Sequence, residues 1–263
     1  MATALITGAS SGIGATFAQE LAARQTNLVL VARSEAKLQQ LAQELHYKYK
    51  VKVDVVVQDL TEPAAAKAVF EAVKEKGLTI DLLINNAGFG KYGDFVEIGA
   101  EEQVKMIQLN ILALVELTYQ FLPQMRLRRS GGIINMSSVA AFQTMPYFGV
   151  YAATKAFILS FSEALWAENQ SYGVRVLTVC PGPTDTNFFP EAEFPPLLKN
   201  IAAANFTSTE VVVREALQAL EKNHSTIVPG MVTNQLLANF PRFVPRELMA
   251  NLWKNILGAR FAR

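Results

Sequence analysis

The chain has 263 residues, 51% of them hydrophobic, which is enough to bury the core of one α/β domain. Its 24 Lys and Arg balance 23 Asp and Glu, so the overall charge gives no attraction towards nucleic acid. The single cysteine, Cys180, excludes an intrachain disulfide and a cysteine-rich metal site, and it favours a reducing, cytoplasmic location.

Short runs of β-branched and other apolar residues alternate with longer amphipathic stretches. The runs predict strands over residues 4–7, 28–32, 51–58, 82–85, 133–136 and 174–179. The stretches predict helices over residues 13–24, 35–49, 63–76, 101–129 and 150–171. Such alternation is typical of βαβ units. We therefore predict an α/β fold, a Rossmann-type doubly wound parallel sheet with helices on both faces, forming one domain over residues 1–263.

Several residues predict where helices begin and end. Thr61 and Pro63 suit an N-cap and the first turn of the third helix, and Gly77 and Gly173 stand where helices should stop. After residue 183 the pattern weakens until helical periodicity resumes near residue 209. We interpret residues 184–208 as a mobile, apolar lid over the substrate and residues 209–263 as a C-terminal helical part of the same domain.

A glycine-rich turn follows the first predicted strand and opens the first helix. Glycines let the backbone approach a ligand closely, and the amides and dipole of a helix start attract phosphate. The spacing Gly-x-x-x-Gly-x-Gly is also compatible with an ordinary tight turn. If the turn holds a dinucleotide pyrophosphate, its binding residues are Gly8, Ser10, Ser11, Gly12, Ile13 and Gly14.

Arg33 stands at the end of the second strand, where NAD-binding folds place an acid that bonds the ribose hydroxyls. Ala32 cannot serve that role, and Glu35 is the only acid nearby. A guanidinium pairs well with a 2′-phosphate, and Ser10 and Lys37 are candidate helpers. We therefore favour NADP(H) over NAD(H) as the cofactor, with a simply solvated arginine as the alternative.

Tyr151 and Lys155 lie four residues apart in a predicted helix, so both side chains share one of its faces. Taken alone, they could be a surface pair. Ser137 and Ser138, however, end the preceding strand at the carboxyl edge of the sheet, where open α/β folds bind ligands. We expect a hydroxyl, a phenol and an ammonium to converge there.

In chain order these features resemble the short-chain dehydrogenase/reductase family, over about residues 3–186. The shared motifs are Thr-Gly-x-x-x-Gly-x-Gly from Thr7, Asn85-Asn86-Ala87-Gly88, Asn110, Ser138, Tyr151-x-x-x-Lys155 and Pro181-Gly182. Within the family, residues 31–33 and 181–186 are similar to the branch that contains ketoacyl-CoA reductases and 17β-hydroxysteroid dehydrogenases.

The resemblance implies an enzyme that transfers a hydride between NADP(H) and a carbonyl or secondary alcohol. Tyr151 is implied to be its acid and base, Lys155 to favour the tyrosine anion, and Ser138 to hold the substrate oxygen. Asn110 is implied to hold a water that links Lys155 to solvent. Further implied cofactor contacts are Asp59, Leu60, Asn86, Ala87, Gly88, Tyr151, Lys155, Pro181, Gly182, Thr184 and Thr186.

Other interpretations stay open at this point. Residues 8–12 also fit Gly-x-Ser-x-Gly, the nucleophile elbow of an α/β-hydrolase esterase, with His224 in the required order, but too few strands precede them. A non-catalytic NADP-binding sensor has no need of Ser138, Tyr151 and Lys155. Without the resemblance, Asn110 would be a polar residue on an exposed helix face. The two histidines give no support for a metal site.

Apolar side chains near the expected site predict a hydrophobic small-molecule substrate, although some of them could simply fill the core. They are Phe142, Met145, Tyr147, Phe188, Phe189, Leu197 and Phe206. The resemblance implies a homodimer or homotetramer formed through the two long helices.

Residues 242–263 combine several basic residues and one acid with interleaved apolar residues. The basic residues are Arg242, Arg246, Lys254, Arg260 and Arg263. Such a segment can lie on an anionic membrane. Packing against its own domain or a second subunit is the interpretation that we favour, with peripheral membrane contact as the alternative.

Overall fold

One parallel sheet organises the computed structural model, which describes residues 1–203 and 206–258. Its strands are β1 (Thr3–Thr7), β2 (Asn27–Ala32), β3 (Val53–Val57), β4 (Leu82–Asn85), β5 (Gly131–Met136), β6 (Val174–Val179) and β7 (Thr226–Ile227). They lie in the order β3-β2-β1-β4-β5-β6-β7. From β1 to β3 successive strands are added on one side of β1, and from β4 to β7 they are added on the other side. A crevice therefore opens between β1 and β4 at the carboxyl ends of the strands.

Helices cover both faces of this sheet. They are α1 (Gly12–Ala23), α2 (Glu35–Tyr49), α3 (Ala65–Glu75), α4 (Ala100–Ile107), α5 (Ala113–Arg128), α6 (Gly149–Asn169), α7 (Phe188–Glu191), α8 (Pro196–Ala203), α9 (Thr209–Glu221), α10 (Val232–Asn239) and α11 (Arg246–Leu257). One core lies under α1, α2 and α9, and a second under α3, α5 and α6. The predicted doubly wound α/β fold is thus confirmed.

The middle of the central strand β1 is apolar because both of its faces are covered. Ala4 and Ile6 belong to the first core, whereas Leu5, between them, belongs to the second. Successive side chains of a strand point to opposite faces, so a strand covered on both sides needs an apolar residue at every position. All three side chains are fully buried.

The third helix begins later than the sequence predicted. It starts at Ala65, because Thr61 does not cap it: Thr61 donates its backbone N–H and its hydroxyl to Asp59 Oδ1, over 2.9 and 2.7 Å, and closes a separate turn. Gly77 and Gly173 follow helices with φ of +64° and +68°, as predicted.

Two further elements differ from the prediction. A π-helical turn at Gln108–Leu112 separates α4 from α5, where one helix over residues 101–129 was predicted. β7 was missed because its two residues are too short for a period-two pattern to be recognised.

The segment interpreted as a lid, residues 184–208, has more regular structure than its sequence pattern suggested. It contains α7 and α8 and is closed at its base by a β-bridge between Thr184 and Thr207. Helices of four and eight residues are too short to give a clear periodic signal.

Candidate active site

The glycine-rich turn forms a cradle at the carboxyl end of β1. Gly8 and Gly12 have φ of +64° and +53°, a region that residues with a β-carbon rarely adopt. A β-carbon on Gly14 would lie 2.3 Å from the carbonyl oxygen of Gly8. Ser11 precedes α1 without capping it through its side chain, so the first amides of this helix remain available for an anion.

A second loop, after β4, is fastened beside this cradle by Thr7. The hydroxyl of Thr7 accepts hydrogen bonds from the backbone N–H groups of Asn86 and Ala87, each over 3.0 Å. Asn86 Nδ2 donates in return to the carbonyl oxygen of Thr7 over 2.9 Å. Next in the loop, a β-carbon on Gly88 would lie 2.9 Å from Asn110 Oδ1. Sequence reasoning missed this role of Thr7, although its place at the strand end was visible.

Arg33 follows β2 and is 78% exposed in its side chain. Its Nη1 lies 3.8 Å from Asp59 Oδ2, so the residue predicted for the 2′-phosphate stands beside another of the implied cofactor contacts. Burial opposes ionisation of Asp59, but hydrogen bonds from Thr61 and the charge of Arg33 bring its pKa below the usual value. Leu60 is buried, and Lys37 is exposed.

Tyr151 and Lys155 lie together on α6, as the spacing predicted, and both are buried, at 7% and 5% exposed. Lys155 Nζ is 5.5 Å from the centre of the Tyr151 ring. The ammonium donates a hydrogen bond to the carbonyl oxygen of Met136 at the end of β5, over 2.9 Å. The pair therefore sits at the carboxyl edge of the sheet rather than on the protein surface.

Burial shifts the ionisation of both groups. It raises the pKa of Tyr151 well above that of a free phenol, and a hydrogen bond with Ser138 opposes this rise. Burial lowers the pKa of Lys155 to about 8. It also raises the pKa of the nearby Cys180 thiol to about 12. The phenol and the thiol are thus protonated at neutral pH, and the lysine is close to losing its proton.

The two serines after β5 have separate roles. Ser137 donates its hydroxyl to the carbonyl oxygen of Lys155 over 2.7 Å and so ties α6 to the strand end. Ser138 accepts a hydrogen bond from the N–H of Ala140 over 3.2 Å, at the start of the 3₁₀ turn Val139–Phe142. Ser138 thus lies at the end of β5 beside Tyr151, with which it forms a hydrogen bond.

Asn110 lies in the π-helical turn and is 1% exposed, so its interpretation as a polar residue on an exposed face is wrong. Its Nδ2 donates to the carbonyl oxygen of Phe89 and to Thr154 Oγ1, both over 3.0 Å, and its Oδ1 accepts from the N–H of Phe89. Thr154 in turn donates to the carbonyl oxygen of Tyr151 over 2.7 Å. Sequence reasoning missed Thr154.

Aromatic rings cover Tyr151. Phe148 stacks on it with centroids 4.3 Å apart, and Phe188 from α7 lies 5.3 Å away. The ring contacts continue through Phe194, Phe189, Phe206 and Tyr92. We call these seven residues the aromatic cluster.

Most of the side chains predicted to surround the substrate lie in or near this cluster. Phe188, Phe189 and Phe206 belong to it, Met145 and Tyr147 pack against the same group, and Phe142 lies in the nearby 3₁₀ turn. The side chain of Leu197 lies outside what the structure describes. Phe148, Phe194 and Tyr92 were not predicted.

A third loop, after β6, completes the surroundings. Pro181 accepts a hydrogen bond from the N–H of Val139 over 3.0 Å, and Thr184 Oγ1 donates to the carbonyl oxygen of Gly182 over 3.0 Å. Thr186 lies against the glycine turn: a β-carbon on Gly12 would meet its methyl group at 3.2 Å. The three predicted cofactor loops thus meet at one edge of the sheet.

Residues 1–203 and 206–258 contain neither a candidate metal site nor a helix that could span a membrane. No group of three or more His, Cys, Asp or Glu side chains is placed to hold a metal ion there. Within the same ranges, every helix is too short or too polar to cross a bilayer. The basic tail residues Arg260 and Arg263 lie outside the described ranges.

Comparison with known proteins supplies independent evidence. The family model described as short chain dehydrogenase matches residues 2–196. The chain is 30% identical to the very-long-chain 3-oxoacyl-CoA reductase of Homo sapiens over 260 residues, which cover 96% of this chain and 80% of the human protein.

Solved structures agree with this match. The fold is similar to that of a short-chain dehydrogenase from Sphingobium yanoikuyae in complex with NADPH, with a TM-score of 0.80, 36% identity and 87% of each chain covered. It is also similar to a 7β-hydroxysteroid dehydrogenase, with a TM-score of 0.86, 28% identity and 96% of each chain covered.

Proposed function

The chain belongs to the short-chain dehydrogenase/reductase family, and we propose that it interconverts the carbonyl and secondary alcohol forms of a hydrophobic small molecule with NADP(H). The observation that carries this proposal is the buried pair of Tyr151 and Lys155 beside Ser138, at the edge of the sheet where the glycine turn ends. Family membership itself establishes an oxidoreductase.

The residues fit a dinucleotide phosphate. A turn whose glycines exclude β-carbons suits a pyrophosphate, since backbone amides can then approach its oxygens. The exposed guanidinium of Arg33 is available for a 2′-phosphate, and its charge offsets that of Asp59. The similar Sphingobium enzyme was solved with NADPH. When bound, the nicotinamide of NADP(H) supplies or accepts the hydride.

Tyr151 is proposed to move the proton. In reduction its hydroxyl donates to the substrate oxygen, and in oxidation the phenolate takes the proton back. Because burial raises the pKa of this phenol, the donor form prevails at neutral pH. Lys155, when protonated, favours the phenolate by opposite charge. Ser138 donates a hydrogen bond to the same substrate oxygen and stabilises the negative charge that develops there.

Asn110 is proposed to position this machinery. Its amide holds the backbone of Phe89 and the hydroxyl of Thr154, which lies one residue before Lys155. The implied water between Asn110 and Lys155 belongs to the same proposal. Because burial lowers the pKa of Lys155 to about 8, this ammonium can give up and regain a proton near neutral pH.

The aromatic cluster supports an apolar substrate. Rings from Phe148 and Phe188 lie against Tyr151, so a substrate carbonyl next to the phenol would have hydrophobic neighbours. The names of two similar proteins, a 3-oxoacyl-CoA reductase and a hydroxysteroid dehydrogenase, refer to substrates with large apolar parts. Residues 184–208 are proposed to act as the lid over this region.

We also propose that residues 1–263 form one domain, that the protein is cytoplasmic, and that it forms a homodimer or homotetramer. Exposed apolar side chains on the outer side of α5 and α6, among them Tyr119, Leu127 and Phe157, support contact between subunits there. The family match argues against the esterase alternative, and the intact Ser138, Tyr151 and Lys155 argue against the sensor.

Consumption of NADPH at 340 nm with a panel of ketones, beside a p-nitrophenyl ester assay, tests this proposal. Tyr151→Phe should lower kcat by about 10²–10⁴-fold and leave the NADPH dissociation constant nearly unchanged. Tyr47→Phe, at an exposed position on α2, is the matched control and should keep full activity. Ester hydrolysis without NADPH consumption, or full activity of Tyr151→Phe, would refute it.

A further inference from the structure

The helix α10 and the turn after it present apolar side chains to solvent. Val232, Leu236 and Phe240 follow one another at a spacing of four, so they form a stripe along one side of the helix. Val232 is 69% exposed, and Phe243, in the following turn, is 83% exposed. Ala238, by contrast, is buried. One side of the helix is thus buried against the protein, and the other side is exposed to solvent.

The last described helix, α11, repeats this arrangement. Leu248, Leu252 and Ile256 are exposed at the same spacing of four. Met249 and Leu257 are buried and hold the helix to the protein. We call the seven exposed residues on α10, α11 and the turn between them the C-terminal apolar surface. Scattered exposed residues need no explanation, but regular apolar stripes on two consecutive helices, with an exposed phenylalanine in the turn between them, indicate a binding surface.

Positive charge accompanies this surface. Arg242 and Arg246 lie between the two stripes and Lys254 lies on α11, all exposed. Residues 231–258 contain one acid, Glu247, so the segment has a net formal charge of +2 although the whole chain is close to neutral. Helices that lie in the surface of an anionic bilayer combine an apolar stripe with lysine and arginine in this way.

The same charges disfavour a second copy of the chain as the occupant. In a two-fold symmetric dimer each patch meets a copy of itself, so the interface would bring together three cations and one acid from each subunit. Repulsion between like charges opposes such a contact. Anionic lipid headgroups instead attract each cation, while the apolar side chains enter the acyl boundary.

The helix α11, which carries three of the seven residues of this surface, also borders the proposed substrate region. Trp253 Nε1 donates to Gln143 Oε1 over 2.9 Å, on the segment between Ser138 and Tyr151. The hydroxyl of Tyr92, a member of the aromatic cluster, donates to the carbonyl oxygen of Leu257. Leu257 itself packs in the same buried group as Tyr151. The buried side of α11 therefore contacts the aromatic cluster, while its other side is exposed.

We propose that the C-terminal apolar surface binds anionic lipid bilayers peripherally, and that it thereby holds the aromatic cluster next to the lipid from which an apolar substrate enters. The first part depends only on the exposed side chains and their charges. The second part rests on the proposed function.

Co-sedimentation with lipid vesicles tests the first part. The full chain should bind vesicles that contain phosphatidylglycerol, bind pure phosphatidylcholine much more weakly, and dissociate as salt is raised. Phe243→Ser should weaken vesicle binding roughly tenfold, because it removes a side chain that would be buried in the bilayer. Arg242→Gln with Arg246→Gln should weaken binding and reduce its salt dependence.

Tyr47→Ser is the matched control, because Tyr47 is a similarly exposed aromatic residue on α2, and it should bind like the wild type. All variants are checked for folding by thermal melting and for size by light scattering. Absence of binding to anionic vesicles by the folded wild type overturns the proposal. So does a smaller oligomer in Phe243→Ser, since the surface would then be a subunit interface.

The second part has its own readout. Anionic vesicles should raise kcat/KM for a long-chain ketone dissolved in them and leave that for a water-soluble ketone unchanged. Phe243→Ser should lose this increase and keep its activity on the water-soluble ketone. Vesicle binding without any ketone reduction would leave the lipid surface intact and refute the proposed function instead. Equal kcat/KM with and without vesicles would overturn the entry of substrate from lipid.

Discussion

The ammonium of Lys155 donates a hydrogen bond to the carbonyl oxygen of Met136 over 2.9 Å. A neutral carbonyl compensates a buried charge only in part, and burial accordingly lowers the pKa of Lys155 to about 8 from an ordinary value of 10.5. Keeping Lys155 charged, as the family resemblance requires, therefore lowers the free energy of unfolding of the protein.

This relationship predicts a pH dependence of stability. Between pH 8 and 10.5 the unfolded chain keeps the Lys155 proton and the folded protein loses it, so the contribution of Lys155 to the free energy of unfolding rises with pH. Below pH 8 the burial cost is present in full, on the order of 3 kcal/mol. The wild type should therefore gain this amount relative to Lys155→Met across that window.

Denaturant unfolding of the cofactor-free protein at several pH values measures this gain. The comparison with Lys155→Met is needed because Tyr151 and Cys180 have raised pKa values, and their contributions fall as the pH increases. The burial of Tyr151 and Cys180 is common to both proteins, so most of their contribution cancels in the difference. The part that remains comes from the charge of Lys155 itself, which lowers the pKa of the Cys180 thiol. A difference that stays constant with pH would contradict the lowered pKa of Lys155.

Arg33 should decide between the two nicotinamide cofactors. Arg33→Ala removes a charged partner of the 2′-phosphate, so we expect the dissociation constant for NADPH to rise roughly ten- to a hundredfold. Binding of NADH, which lacks that phosphate, should change little. Fluorescence titration with both cofactors measures this, and Arg175→Ala, at an exposed position on β6, is the control. Equal weakening of both cofactors would show that Arg33 does not select the phosphate.

The features predicted well from the sequence are those set by local geometry. The turn from Gly8 to Gly14 needs positive φ and the absence of β-carbons, and these requirements leave glycines in the sequence. Tyr151 and Lys155 share a helix face because they are four residues apart. The central strands β1 and β2 were visible because burial on both faces favours a continuous apolar run.

Features that depend on distant parts of the chain could not be predicted. Nothing near Asn234 indicates that it packs against Gly182, and nothing near Leu257 indicates its contact with Tyr92. The start of α3 was predicted wrongly for a different reason. The hydroxyl of Thr61 donates a hydrogen bond to Asp59 Oδ1 instead of capping the first turn of α3. Both hydrogen bonds are local, so the sequence does not decide between them.

Phe188 should contribute to the binding of apolar substrates. It lies 5.3 Å from the Tyr151 ring and is half-buried, so Phe188→Ala removes part of a hydrophobic contact next to the proposed reaction centre. We expect kcat/KM to fall about three- to thirtyfold for long-chain ketones, and little for the smallest ones. A ketone series of increasing chain length measures this, with the exposed Phe95→Ala as control. An equal loss for all chain lengths would argue against a substrate contact.

We expect α10 and the loop after β6 to be sterically coupled, because Asn234 packs directly against Gly182. A β-carbon on Gly182 would lie 2.2 Å from Asn234 Oδ1, a distance that no relaxed structure permits. Asn234 cannot move away freely, because its Nδ2 donates to Thr207 Oγ1 and to the carbonyl oxygen of Pro229, both over 3.1 Å. The φ of Gly182 is not positive, so the conflict is purely one of space.

Gly182→Ala should therefore destabilise the protein by about 1–3 kcal/mol and weaken NADPH binding, because the loop that it displaces carries Thr184. Asn234→Ala vacates the space, so the double variant should be more stable than the sum of the two single changes allows. Thermal melting and NADPH titration of all four proteins measure this coupling. Gly99→Ala, where a β-carbon meets nothing within 4 Å, is the control. Strictly additive effects would mean that the loop absorbs the new methyl group without displacing Asn234.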